Sequence, residues 1–470
     1  MTAEADVAVP GTGNLTGRLD ELCALHGVPG AALGLLVDGA VTTATSGVTK
    51  LGAEGVPVTA DTLFLAGPVT AMWTATMVMQ LADTGGLDLD VPVNAYLMPE
   101  LRLVDEAVAD SVTTRQLLCH TGGFYGDCEP PPFSGRDALE RTIAGFDELQ
   151  QVHRPGSMHS YCPAGYVVLG RLIECMTGTT WAQALGDRLV EPLGLHRTFT
   201  QPERAMVHRL AVGHVRRPGR TDLLPVDEWL LPPSAGPAGG TMATSVADLL
   251  AFAQLHLREG RGPDGRYLLS PASARAMREP QVAVADPDSG AAWGLGWEII
   301  RSSGPLIVRS RGALNGHESH LVLVPELQVA LCVLTVGDPG QDVATTLVSE
   351  VIEQLTGAAD TLAPRVGAAQ FGAGAIEPVD AVGTFGRADM EITIELTEDG
   401  RLHGTYRPGF SKRMSSPPFR APLIPAGGTT FRFASPREPH ASPWLTFLRE
   451  GGGAGPATHV VRGGRAVPRR

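Results

Sequence analysis

The sequence predicts a mixed α/β protein: an antiparallel sheet flanked by helices, followed by a small β-rich C-terminal part. Three observations carry this. β-prone apolar runs meet at Asp38-Gly39 and Asn315-Gly316, dipeptides that favour tight two-residue turns. Between these hairpins lie amphipathic stretches with helical spacing that end in glycine. After Gly357 the composition shifts to short β-prone segments between Gly- and Pro-rich ones. A chain of 470 residues suits one large domain plus a smaller one.

Residues 1 to about 17 read as a loose tail. They are acidic and rich in small residues, without the basic and apolar segments of a signal peptide, so a cytoplasmic location is the default expectation. The large domain is expected over 18–357. GVPGAALGLLVDGAVTTATSG (Gly27–Gly47) is its first hairpin. AMWTATMVMQLADTGG (Ala71–Gly86), AGYVVLGRLIECMTG (Ala164–Gly178) and VADLLAFAQLHLREG (Val246–Gly260) are amphipathic helices stopped by glycine. SVTTRQLLCHTGG (Ser111–Gly123) is a short helix with a Ser/Thr cap. A run of strands follows over Leu306–Gly337, turning at Asn315-Gly316 and Pro325-Glu326, and VATTLVSEVIEQLTG closes the domain as a helix. Residues 358–470 form the small β-rich domain, with Arg462–Arg470 expected as a frayed, basic tail.

Hydrophobic residues make up 43% of the chain and charged ones 19%, enough for a substantial core. The formal net charge of −13 argues against nucleic-acid and anionic-membrane partners, and no apolar run is long enough to span a bilayer. The six cysteines are scattered without metal-ligand or disulfide spacing, so neither a metal nor another cofactor is expected. Lysine occurs only at positions 50 and 412, which limits any mechanism that needs a lysine base.

Landmarks in order include GVPGAALGLLVDG, TADTLFLAGPVTAMWTATMVMQLADTGGLDLDVPVNAYL, TTRQLLCHTGG, RPGSMHSYCPAGYVVLGRLIECMTG, GPAGGTMATSVADLLAFAQ, AWGLGWEI and GHESHLVLVPE. From Leu22 to Gly357 the chain thereby resembles the serine β-lactamase and penicillin-binding-protein superfamily, in its class C β-lactamase and esterase branch. The resemblance implies a β-lactamase/transpeptidase-like sheet with a helical subdomain at about 72–240, and a lipocalin-like C-terminal β domain. It also implies three motifs, S-x-x-K, Y-x-N and K-T-G or H-x-G. All three are altered here: Pro68-Val69-Thr70-Ala71, Tyr161-Cys162-Pro163 and Ser310-Arg311-Gly312. Proline has no nucleophilic atom and Ala71 accepts no proton, so the family's covalent route is lost. Proline is at home in a first helical turn, so the frame survives.

Tyr161, the one intact catalytic side chain, reads as a proton donor or acceptor, or as an inherited packing residue. Arg311 reads as a carboxylate or enolate clamp, or as an exposed charge on a strand edge. His317 reads as an acid–base group or as part of a solvated hairpin tip. Pro68, Ala71, Cys162, Pro163, Ser310, Gly312, Glu318 and Tyr125 are the expected substrate-contacting positions. Cys162 is an alternative nucleophile only if its thiol is activated. The expected function is non-covalent acid–base or cyclisation chemistry on an apolar small molecule in secondary metabolism. The alternative is a ligand-binding pseudoenzyme; ordinary serine hydrolysis ranks last. Composition leaves the oligomeric state open.

Overall fold

The computed structural model describes residues 14–52, 55–97, 101–129, 131–217, 222–289, 291–300, 304–357, 375–409, 418–434 and 443–470. Two eight-stranded antiparallel sheets organise it. In the first, Ala40–Gly47, Gly30–Val37, Val329–Val336, His317–Val324 and Ile307–Leu314 lie side by side in that order, extended by three short strands. Both predicted hairpin turns form with left-handed residues: Asp38 and Gly39 have φ of +48° and +85°, Asn315 and Gly316 of +44° and +71°.

Strand alternation gives this sheet two unlike faces. Leu321 and Leu323 join the large core under the helical region. Val322 and Val324 join a second core with the helices Leu15–His26 and Gly340–Thr356. In the large core Trp73, on the helix Ala71–Asp83, stacks on Phe252 at 4.0 Å between ring centroids. The helix Pro163–Thr177 approaches the turn Pro233–Ala238 closely because Gly170 faces Pro237: a Cβ there would stand 2.1 Å from the ring.

The second sheet is a meander from Gly383–Arg387 to Arg465–Pro468. Its first and last strands meet through a bridge between Phe385 and Arg469, so it forms a nearly closed barrel consistent with a lipocalin-like domain. Phe385, Phe431 and Phe447 fill it edge to face.

Two expectations about the termini need correction. Arg462–Arg470 is no frayed tail: His459–Arg462 and Arg465–Pro468 pair as the last hairpin across Gly463 and Gly464, whose φ values are +57° and +73°. At the other end Leu15 already belongs to a helix, because the Asn14 side chain accepts the Gly17 N–H at 2.9 Å. Residues 1–13, Lys412 and the stretch just after the expected boundary at 357/358 lie outside the described residues.

Candidate functional site

The site is a cleft between two walls. On the first wall, Gly67–Thr70 makes a single tight turn that runs into the helix Ala71–Asp83. Pro68 opens this turn, where a missing N–H costs nothing. Its ring is held between two glycines. A Cβ at Gly312 would stand 2.5 Å from Pro68 Cδ, and one at Gly239, where φ is +119°, would stand 2.6 Å from Pro68 N. Position 68 therefore offers neither a nucleophile nor an N–H that could stabilise an oxyanion. Ala71 is buried in the large core.

The second wall carries Tyr161. Cys162 and Pro163 follow it as the N-cap and first residue of the helix Pro163–Thr177. The backbone N–H of Cys162 donates to His120 Nδ1 at 3.0 Å, and the His120 ring lies 4.5 Å from that of Tyr161. Among the described residues the Tyr161 hydroxyl has no protein hydrogen-bond partner. Burial pushes its phenol up to about 12, so it stays protonated at neutral pH and acts as a donor. Burial also pushes the Cys162 thiol up to about 12, and its Sγ lies 3.4 Å from the Phe124 carbonyl, so it is a packed thiol and not an activated one.

Between the walls lies a cavity of about 280 Å³. Pro68, Phe146, Pro163, Val167 and Leu314 make it apolar, while Tyr161, Asp127 and Arg465 are polar. Through Glu129, Pro131 and Leu231 it adjoins an outer groove of about 650 Å³ that also touches Glu228 and Pro232.

Arg465 comes from the barrel. Its guanidinium grips the Asp127 carboxylate with two hydrogen bonds, of 2.7 and 2.8 Å, and lies 5.0 Å from the Tyr161 ring centre. Arg387, also from the barrel, donates to the same carboxylate at 2.8 Å. Burial raises the Asp127 carboxyl, but Arg465 and then Arg387 outweigh it and hold it below its usual range. The last hairpin is fastened at its turn: Tyr161 N–H donates to the Gly464 carbonyl at 2.9 Å and Ala466 N–H to Ser160 Oγ at 3.1 Å, while Gly464 N–H bonds Asp286. The C-terminal barrel thus supplies part of the cleft.

The expected site residues divide. Tyr161, Pro68 and Pro163 meet at the cavity. Gly312 backs Pro68, and Tyr125 stands behind the second wall with its hydroxyl donating to the Asp127 carbonyl at 3.1 Å. Arg311 and His317 do not join them. Arg311 faces away from Pro68, paired across the strands with His320, and donates to the Asp288 carbonyl at 2.8 Å. Alternation explains this, since its neighbour Gly312 takes the face toward Pro68. His317 is buried beside the first wall, its Nδ1 3.4 Å from Leu65 N, and burial pushes its imidazole down to about 3. It is neither at a solvated tip nor in the cavity lining. Glu318 lies against the start of the last helix of the large domain, where burial pushes its carboxyl up to about 8. Ser310 is buried opposite Leu321. Sequence reasoning missed Asp127, Arg387 and Arg465. Only Arg465 carried a signal: Gly463-Gly464 between β-prone runs is itself a hairpin marker.

Among the described residues no helix is long and apolar enough to cross a membrane, and no group of three or more His, Cys, Asp or Glu could hold a metal ion.

The sheet with its helical region, and the cleft between Pro68 and Tyr161, are those of a serine-hydrolase scaffold, and a profile of the Beta-lactamase family matches residues 15–353. The chain belongs to that family. Penicillin-binding protein 4 of Amycolatopsis lactamdurans is 41% identical over 343 residues, 72% of this chain and 89% of that one. The crystal structure of SurE is similar along the whole chain, with a TM-score of 0.77, 28% identity, and coverage of 97% of this chain and 98% of that one. SurE with D-Leu matches with a TM-score of 0.73, 26% identity and the same coverage.

Proposed function

We propose that this chain is a repurposed member of its family that holds a largely apolar small molecule without acylation and promotes a non-covalent step, such as cyclisation or isomerisation, in biosynthesis. The observation that carries the reading is Pro68, set between two glycines in an otherwise retained cleft. Tyr161 donates a hydrogen bond or proton to an oxygen of the bound molecule. The apolar walls hold one conformer, which by itself lowers the barrier to ring closure. The outer groove accommodates a molecule longer than a single amino acid. That a neighbour of similar architecture was solved with D-Leu supports a ligand carrying an apolar amino-acid side chain.

A second reading, ligand binding without turnover, is favoured by the lining itself. The imidazole beside Tyr161, His120, already accepts the Cys162 N–H through Nδ1, and Asp127 is committed to two arginines. Untargeted mass spectrometry separates the two. The purified chain and its Tyr161→Phe variant are incubated with metabolite extract from host cells lacking this gene. A precursor converted by the wild type and spared by the variant establishes the enzyme. A compound that co-purifies unchanged with both establishes the binder.

A further inference from the structure

The cleft contains a carboxylate of its own. Asp127 sits on the cavity lining, and its two oxygens take the full fork of Arg465, at 2.7 and 2.8 Å. A planar, two-point pairing of this kind is how arginine recognises the carboxylate of a bound molecule. The third donor is Arg387, whose side chain is 2% exposed and which also reaches Asp389 at 2.7 Å. Arg465 and Arg387 thus pair with Asp127 and Asp389, while Glu129 adds a further carboxylate to the cavity lining.

The surroundings fix Asp127 in place. The Tyr125 hydroxyl donates to its backbone carbonyl, and the Arg387 guanidinium lies 5.3 Å from the Tyr125 ring centre. Arg465 Nη1 donates to the Gly463 carbonyl at 3.0 Å, within the hairpin turn that also receives the Tyr161 N–H. Among the described residues lining the cavity, a free carboxylate meets no unpaired cation. To reach Arg465 it would have to expel Asp127, leaving a half-buried carboxylate with one arginine fewer, and such exchanges are unfavourable. A neutral carbonyl meets a different site: the Tyr161 hydroxyl, without a partner among the described residues, and apolar walls.

We propose that Asp127 is a specificity-determining residue that occupies Arg465 from within, so that the cleft accepts neutral acyl groups (amides, esters, lactams or ketones) and rejects the corresponding free carboxylates. This rests on the reading of the cleft as a small-molecule site, but not on turnover. It assigns a purpose to an ion pair between the β-lactamase-like part and the barrel, at a place where both line the cavity. It also makes the barrel a determinant of which molecules bind.

The test compares two probes that differ only at the group in question, N-acetyl-D-leucinamide and N-acetyl-D-leucine, by titration calorimetry on the full-length chain. The wild type should bind the amide at least tenfold more tightly than the carboxylate. Asp127→Ala frees Arg465, and carboxylate affinity should rise at least tenfold. Asp127→Asn keeps the shape and one acceptor oxygen while removing the charge. It should raise carboxylate affinity in the same direction, and it covers the case in which the alanine variant does not fold. Adding Arg465→Ala to Asp127→Ala should abolish the gain, which a merely structural pair would not do. Equal binding of the two probes by the wild type, including no binding of either, overturns the proposal. So does unchanged carboxylate affinity in the folded Asp127 variants. A wild type that prefers the amide but converts no metabolite retires the enzymatic reading and leaves this one standing; conversion with no preference between probes does the reverse.

Discussion

The two walls of the cleft differ in kind. On the first, Pro68 and Ala71 can only pack, and Pro68 is set into glycine-lined space. On the second, Tyr161 is retained, and its neighbourhood is fastened to the C-terminal barrel by backbone and hydroxyl hydrogen bonds and by the Asp127–Arg465 pair. A decaying site would loosen on both sides. One wall that only packs and another that is reinforced is the pattern that the proposed ligand-holding cleft requires.

The sharpest way to break this contrast is at the first wall. Gly239→Ala forces a side chain onto a backbone with φ of +119° and places its Cβ 2.3 Å from the Gly67 carbonyl oxygen. We expect a loss of about 3 kcal/mol in stability, read as a lower urea midpoint. If the midpoint stays put, the wall is not close-packed around Pro68. Gly312→Ala meets the Pro68 ring and should cost about 2 kcal/mol. Pairing it with Pro68→Ala should restore part of that loss, since the second change removes Cδ, the nearest atom, while leaving N and Cβ in place. Strict additivity of the two would contradict the wedge.

Acid probes both walls at once. His317 beside the first and His159 beside the second are each pushed down to about 3, burial being the first cause. An unfolded histidine near its ordinary value of about 6.5 takes up a proton that the folded one refuses, so stability is lost as pH falls below about 6.5 toward 3. At pH 5 each should contribute about 2 kcal/mol of destabilisation relative to pH 7. His317→Gln should flatten that dependence, measured as the midpoint between pH 7 and 5; an unchanged slope means that His317 charges freely in the fold.

The smallest effect is spectroscopic and belongs to the second wall. Arg465 opposes the rise in the Tyr161 phenol that burial causes. Arg465→Ala should therefore move the tyrosinate absorbance of Tyr161, isolated by difference against Tyr161→Phe, to still higher pH. Any turnover that uses Tyr161 as donor should stay level from pH 7 to 10. A titration that does not move would mean that Arg465 does not act on Tyr161.

Most of the fold was legible because local rules agree with the global arrangement. Asp38-Gly39 and Asn315-Gly316 had to turn, and glycine had to stop the helices before Gly178 and Gly357. That Pro68 and Ala71 bring no reactive group could be read directly, since chemistry absent from a side chain is absent from the fold. What could not be read were pairings between distant segments. Asp127 lies in a stretch without periodicity, and its partners come 260 and 338 residues later. Arg311 and His317 were misplaced for a related reason. Proximity along a hairpin does not say which face a side chain takes, and one residue of register sends Arg311 to the far face while Gly312 meets Pro68.

The central claim, that this cleft works without a covalent nucleophile, is tested most directly by intact-protein mass spectrometry after exposure to a fluorophosphonate and, separately, to a β-lactam, with peptide mapping of any adduct. The account predicts an unchanged mass for the wild type. A stoichiometric increment mapped to residues 68–71, or to any side chain lining the cavity, would contradict it.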